Sequence, residues 1–220
     1  MLWNDGKEDS NTVSDSVVDL VFGISCKCLP VDHAFLLSKA LQERLPWLAD
    51  EEHTGMHQIH IMASGHGWER PSGEDALMLP SRRTKFILRL PKHRVDNAKT
   101  LIGKTLLVDG HELTVNNASI RLLSELTTLV SRYVVTAGED ESIFSKEVVD
   151  QLESMGIKPK KMLCGVEKII KLDEQAVATR SVMVADISQE EALLLQQKGL
   201  GPHRVYGCGL FIPQKDINEV

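Results

Sequence analysis

Residues 199–211 read Gly-Leu-Gly-Pro-His-Arg-Val-Tyr-Gly-Cys-Gly-Leu-Phe, two Gly-x-Gly units, Gly199/Gly201 and Gly207/Gly209, around His203 and Arg204. Glycine has no Cβ, so its amide can approach a ligand closely and take positive φ. Amides beside a cation make a seat for an anion, phosphate first among them. The same residues also fit a ligand-free loop packed against a strand. The dinucleotide fingerprint is a different object: it needs Gly-x-Gly-x-x-Gly after a strand and before a helix, and here a helix precedes and a strand follows.

A second source of phosphate chemistry is residues 81–104, which hold Arg82, Arg83, Lys85, Arg89, Lys92, Arg94, Lys99 and Lys104 against Asp96 alone. Lys85 and Arg89 share strand parity with Arg83, so the three fall on one face. A solvated cationic strand explains such a run equally well. The formal net charge of −6 argues against nucleic acid only if the charge is evenly spread. It is not: residues 158–171 are basic and 138–153 acidic, as an electropositive face on an acidic protein requires.

His33 is expected in the first turn of a helix, and an imidazole with an ordinary pKa of about 6.5 suits proton transfer near neutrality. The run His53, His57, His60 and His66 suggests a metal, but on a strand residues 57 and 60 point to opposite faces, so no metal is expected. Gly103-Lys104-Thr105 lacks the earlier glycine of a P-loop, because position 98 is Ala. Of the four cysteines, neither Cys164 nor Cys208 belongs to a Cys-x-x-Cys pair; free thiols are expected, and a zinc site is not. No cofactor is expected. There is no apolar run of membrane-spanning length, and the acidic N-terminus differs from a signal peptide, so a cytoplasmic protein is expected.

The elements that must hold these residues follow from periodicity. Residues 1–15 are polar and expected to be disordered. Ser16–Cys28 reads as a buried strand, Ala34–Leu48 as a helix capped by Asp32 with Pro46 near its end, Gln58–Ala63 as a short strand and Ser64–Leu79 as a turn-rich connection. Thr84–Leu90 is a strand and Arg94–Gly103 a short helix. Asp109-Gly110 marks a hairpin between Thr105–Val108 and Glu112–Val115, with strand character running on to Leu122. The pattern then repeats: strand Thr127–Val135, helix Ser142–Met155, strands Lys161–Leu172 and Ala176–Ile187, a capping-box helix Ser188–Lys198 and a strand Val205–Ile212. Strand-helix-strand-strand-helix-strand, twice, predicts an α+β protein of two tandem ferredoxin-like (βαββαβ) domains. The boundary falls near Leu123–Thr127, giving domains 16–124 and 125–220.

Two such halves with paired Gly-hydrophobic-Gly units before the last strand resemble the RAMP superfamily of CRISPR proteins. Leu29-Pro-Val-Asp-His33-Ala, Gly55-Met-His57, Leu79-Pro-Ser-Arg-Arg-Thr84, Met162-Leu-Cys-Gly165, Arg180-Ser-Val-Met183 and Gly199 through Pro213 resemble, within it, the endoribonuclease that cuts repeat-spacer transcripts into guide RNAs. The resemblance spans residues 17–213. It implies a metal-independent cut in which the RNA 2′-OH is the nucleophile, giving a 2′,3′-cyclic phosphate and a 5′-hydroxyl. It implies an enzyme that stays on the repeat hairpin within a multi-protein interference complex. It makes His33 the proton-transfer residue. Family members place a tyrosine and a lysine around this histidine; Tyr133 and Lys39 are available, and His57 is the second choice. Arg82, Arg83, Lys85 and Arg89 are the expected RNA contacts, joined by Gly199, Gly201, His203, Arg204, Gly207 and Gly209. A non-catalytic guide-RNA-binding RAMP subunit would share the fold and the cations. A ferredoxin-like regulator that binds a small molecule is the third reading.

Overall fold

The structure, a computed structural model, describes residues 16–61, 76–136, 138, 140–173 and 175–214. The expected tail at 1–15 and most of the 64–79 connection, His66 included, lie outside the described residues.

Strand β1 (Val17–Cys26) puts Val18, Leu20, Phe22 and Ile24 into one core while Asp19 points to the other face. A two-residue strand β2 (Leu29–Pro30) follows, then helix α1 (Ala34–Gln42), whose Leu37 and Leu41 enter the same core. Burying each such leucine is worth roughly 1.5–3 kcal/mol. The helix is shorter than expected, because Pro46 opens a separate 3₁₀ turn, Pro46–Leu48. Asp32 is not its cap; Oδ2 of Asp32 instead accepts from the Lys171 amide at 3.3 Å.

Strand β3 (Gly55–His57) lies N-terminal to the strand expected at Gln58–Ala63, and β4 (Leu77–Met78) pairs with β2, which the sequence did not announce. Strand β5 (Lys85–Pro91) leads through a 3₁₀ turn to the short helix α2 (Val95–Lys99). The hairpin of β6 (Thr105–Val108) and β7 (His111–Arg121) turns at Asp109 and Gly110, φ 49° and 76°, the pair of positive φ values a tight two-residue turn demands.

The second half runs β8 (Leu129–Val135), α3 (Glu141–Ser154), β9 (Lys161–Leu172), β10 (Gln175–Ala185), α4 (Gln189–Lys198) and β11 (Ile212–Pro213). The expected capping box forms: Glu191 N–H donates to Ser188 Oγ at 3.1 Å and Ser188 N–H to Glu191 Oε2 at 2.7 Å. The last strand is a correction. Only Ile212–Pro213 pair; Arg204–Tyr206 form a 3₁₀ turn, and Gly207 and Gly209, φ 91° and 67°, cannot continue an extended run.

The pairings are antiparallel, in two larger sheets ordered β3-β5-β1-β7-β6 and β11-β8-β10-β9. Helices α1 and α2 cover one face of the first sheet; α3 and α4 pack on the second around Phe144, Val148 and Leu195. The uncovered face of the first sheet, bearing Asp19, Lys85, Ile87 and Arg89, turns towards the second half.

Candidate nucleic-acid interface

The glycine-rich loop is built for packing rather than for presenting amides. Gly199 N–H donates to Leu195 O at 2.8 Å, Gly207 N–H to Arg204 O at 3.0 Å and Gly209 N–H to Tyr133 O at 2.6 Å. A Cβ on Gly207 would lie 2.7 Å from the Gln58 side chain and 3.0 Å from Met56 O; one on Gly209 would collide with the Leu200 carbonyl. Gly55 meets the loop from the other side, where a Cβ would lie 2.7 Å from Leu210. The glycines thus let the C-terminal loop close onto β3, and the phosphate seat expected at Gly199, Gly207 and Gly209 is corrected. Gly201 and His203 alone of this set stand exposed.

Two expected RNA contacts are clasps. Arg89 is fully buried: Nε and Nη2 donate to Asp19 Oδ1 and Oδ2 at 2.8 and 3.1 Å, and Nη1 donates to the carbonyls of Gln196 and Phe211 at 2.9 and 2.7 Å. One guanidinium therefore joins β1 to α4 and to the approach of β11. Arg204 does the same nearby, donating to the carbonyls of His53, Thr54, Gln197 and Lys198. Burial lowers its pKa to about 10, still high enough to keep it charged at neutral pH. Neither side chain has its donors turned outward, so both are corrected.

His33 is corrected too. It is 2% exposed; Nε2 accepts from the Ile59 N–H at 3.0 Å, so Nδ1 carries the proton, towards the carbonyls of Pro30 and Val31 at 3.1 and 3.2 Å. Both ring nitrogens thus face protein groups rather than solvent. His33 ties the chain before α1 to the segment 57–61, and that segment is one wall of a cleft.

The cleft, of about 870 Å³, is bordered by His57 and His60, by Arg83 and Lys85, and by Arg121 and Arg132. Among the described residues no carboxylate lines it, and their lining charge is positive. Parity reasoning had grouped Arg83, Lys85 and Arg89 on one face; the first two reach the cleft and the third lies buried beneath it. Arg82 points to a separate hollow. Lys39 is exposed on α1 and borders neither space.

His57 sits where the cleft meets the buried charge cluster. Its Nε2 is 3.7 Å from Asp19 Oδ1, too long for a hydrogen bond, and has no hydrogen-bond partner among the described residues. Burial pushes its pKa below the ordinary histidine value, and the nearby Arg89 charge adds to this while Asp19 opposes it. The ring is therefore neutral at pH 7. Burial acts to raise the Asp19 pKa, but the Arg89 charge and hydrogen bonds outweigh it, and the carboxyl is held far below the usual carboxylate range. His60 is exposed and stacks 6.0 Å from the ring of Tyr133, which is itself buried beside Ile170, Leu172 and Cys208.

Sequence reasoning missed Arg121 and Arg132. Arg121 is cross-strand from Asp19, donates to its Oδ2 at 2.8 Å with half its side chain exposed, and borders the cleft. Its signal was Asp19 itself, a charge inside an apolar strand that must be paired. Arg132 depends on a bulge. Val182 pairs with Ser131 but Arg180 with Val134, one residue more in β8 than in β10. Leu129 and Val134, of opposite parity on a regular strand, consequently share the α3/α4 core. Bulges re-aim side chains in this way beside functional sites, and no pattern of apolar residues locates one.

Comparison with known proteins places this geometry. A CRISPR-associated endonuclease Cas6 of Myxococcus xanthus (strain DK1622) is 28% identical over 197 residues, 89% of this chain and 81% of that protein. A Cas6-related protein of Pyrococcus furiosus shares the fold with a TM-score of 0.62 at 13% identity, covering 93% of this chain and 100% of that one. A RAMP protein described as binding different RNA substrates does so with a TM-score of 0.61 at 12% identity, covering 89% and 98%. Among the described residues no helix is long and apolar enough to cross a membrane. The family model described as Cas6 Crispr matches residues 18–216, and the chain belongs to that family.

Proposed function

We propose that the chain is an endoribonuclease that cuts CRISPR repeat RNA at the cleft between its two halves, without a metal. The carrying observation is the cleft: Arg83, Lys85, Arg121 and Arg132 with two histidines and, among the described residues, no lining carboxylate. The named activity of the Myxococcus relative supports the reading. The two halves are read as tandem ferredoxin-like domains, 16–124 and 125–220, because β3-β5-β1-β7 and β9-β10-β8-β11 follow one order, second-third-first-last, with β6 added at the edge of the first sheet.

The chemistry needs little from the protein. RNA brings its own nucleophile, the 2′-OH. The cleft cations align the scissile phosphate and offset the charge of the phosphorane. With a proton on Nε2, towards Asp19, neutral His57 presents Nδ1 as the base for the 2′-OH. His60, exposed beside Arg132, protonates the departing 5′-oxygen. The products are a 2′,3′-cyclic phosphate and a 5′-hydroxyl. The protein holds the repeat hairpin after cleavage and hands it to a multi-subunit interference complex.

The burial of His33 favours one rival, a guide-RNA-binding subunit that does not cut. The test mixes repeat RNA in EDTA with wild type and with His57→Ala, His60→Ala and His33→Ala. Loss of about 10²–10⁴-fold in rate for His57→Ala, with RNA still bound and cyclic-phosphate ends on wild-type product, is expected. Wild type that binds without cutting supports the rival. A folded His33→Ala protein that cannot cut, beside His57→Ala and His60→Ala proteins that cut normally, overturns the site assignment.

A further inference from the structure

The turn Ser81–Thr84 divides two hollows. Ser81 borders both; Arg83 lines the cleft, whereas Arg82 lines a second space of about 730 Å³. The turn is pinned, with Ser81 N–H donating to Thr84 Oγ1 at 3.0 Å and Arg83 N–H to Ser81 Oγ at 3.2 Å. Two consecutive arginines thus stand on opposite sides of one fixed ridge.

The second hollow is set between the C-terminal end of β1 and the β6–β7 hairpin, and its chemistry differs from that of the cleft. Lys27 and Arg82 are exposed cations in its lining. Cys28, His111, Thr114 and Asn116 add donors and acceptors to the lining, and Glu112 is the one acid among its described residues. Its volume is that of a small-ligand pocket, which spans about 300–1,000 Å³.

We propose that this hollow binds an unpaired segment of the same RNA strand that occupies the cleft, one or two nucleotides past the ridge. The proposal rests on the cleft reading. Cationic groups hold phosphates without reading sequence, whereas amide, hydroxyl and imidazole groups can reach base edges and the 2′-OH. A splayed, unstacked nucleotide offers its Watson–Crick edge to a hollow of this size, whereas in a paired A-form stem that edge is taken up by its partner base. The ridge is therefore where the held strand leaves the cleft and its bases become readable.

Cys28 supplies the reporter. Its thiol lies in the hollow, 3.1 Å from His111 Nδ1. Alkylation by N-ethylmaleimide is followed peptide by peptide on the whole protein, free and with repeat RNA at about ten times its Kd. Full-length repeat should slow Cys28 alkylation about tenfold, the occupancy that concentration gives. Of two RNAs trimmed on one side of the cut or the other, one should restore the free rate while still binding. Equal rates with and without RNA, or equal protection by both trimmed RNAs, overturn the proposal. Lys27→Glu separates contact from indirect shielding: it should weaken full-length repeat about tenfold relative to the unprotecting trimmed RNA. If Arg132→Glu abolishes binding of all three RNAs while Lys27→Glu changes none, the cleft reading stands and the hollow is empty. If neither substitution alters binding, both readings fall.

Discussion

Replacing Arg89 by Met should cost the protein stability, not RNA affinity. The side chain is fully buried and makes two bonds to Asp19 and two to the carbonyls of Gln196 and Phe211. Met keeps much of the volume and removes all four bonds. Asp19, 2% exposed, would keep Arg121, whose side chain is half in solvent, and the neutral His57 ring at 3.7 Å. Removing one partner of a buried pair costs about 3–5 kcal/mol, because the other charge stays buried. For a chain of this size each kcal/mol lowers the melting temperature by roughly 2–4 °C, so a fall of about 6–20 °C is expected by thermal unfolding.

Acid should reveal the same pair in wild type. The folded-state pKa of Asp19 lies below its unfolded value, so its stabilisation is complete above about pH 4. It is lost as pH falls towards the depressed folded value. Arg89→Met should flatten that acid limb. Asp19→Leu combined with Arg89→Met should lose less than the sum of the single losses by about 0.5–3 kcal/mol, since neither charge is left alone. An Arg89→Met protein that melts within 1 °C of wild type (about half a kcal/mol at most) and binds RNA with a shallower salt dependence would refute this. Arg89 would then be a phosphate contact after all.

Gly201 and Gly209 have nearly the same φ, 69° and 67°, but a Cβ meets nothing at Gly201 and the Leu200 carbonyl at Gly209. Urea unfolding should give about 1–2 kcal/mol for Gly201→Ala, the left-handed penalty alone, and about 3 kcal/mol or more for Gly209→Ala, where overpacking adds to it. His33→Ala leaves the buried Ile59 N–H without its acceptor and should destabilise by about 1–3 kcal/mol, while well below its melting temperature cleavage falls less than tenfold, as a rate assay would show. With His57 as base, its depressed pKa puts the rise of the cleavage rate with pH below about 6.5; a rise centred above pH 7 in the pH–rate profile rejects that role.

Individual elements were legible because burial writes them into the sequence: Val18, Leu20, Phe22 and Ile24 alternate, and Ser188 with Glu191 closes a helix end by local chemistry. The uses of the arginines were not legible, and the reason is physical. A guanidinium presents the same planar fork to a phosphate, a carboxylate or a pair of carbonyls. Arg83 and Arg89 have the same parity and lie six residues apart, yet the cleft takes one and the Asp19 clasp the other. What separates them is Asp19, sixty-four residues before Arg83 and seventy before Arg89, on the strand beside β5. The useful sequence signal was therefore the lone acid in an apolar strand. Such a residue demands a buried cation on a neighbouring strand and so removes one arginine from the ligand-binding set. The glycine loop is a harder case. Positive φ was correctly implied, but close approach to β3 and close approach to a ligand leave the same glycines behind, and the contacts of Gly207 with Gln58 and of Gly55 with Leu210 tell which approach occurred.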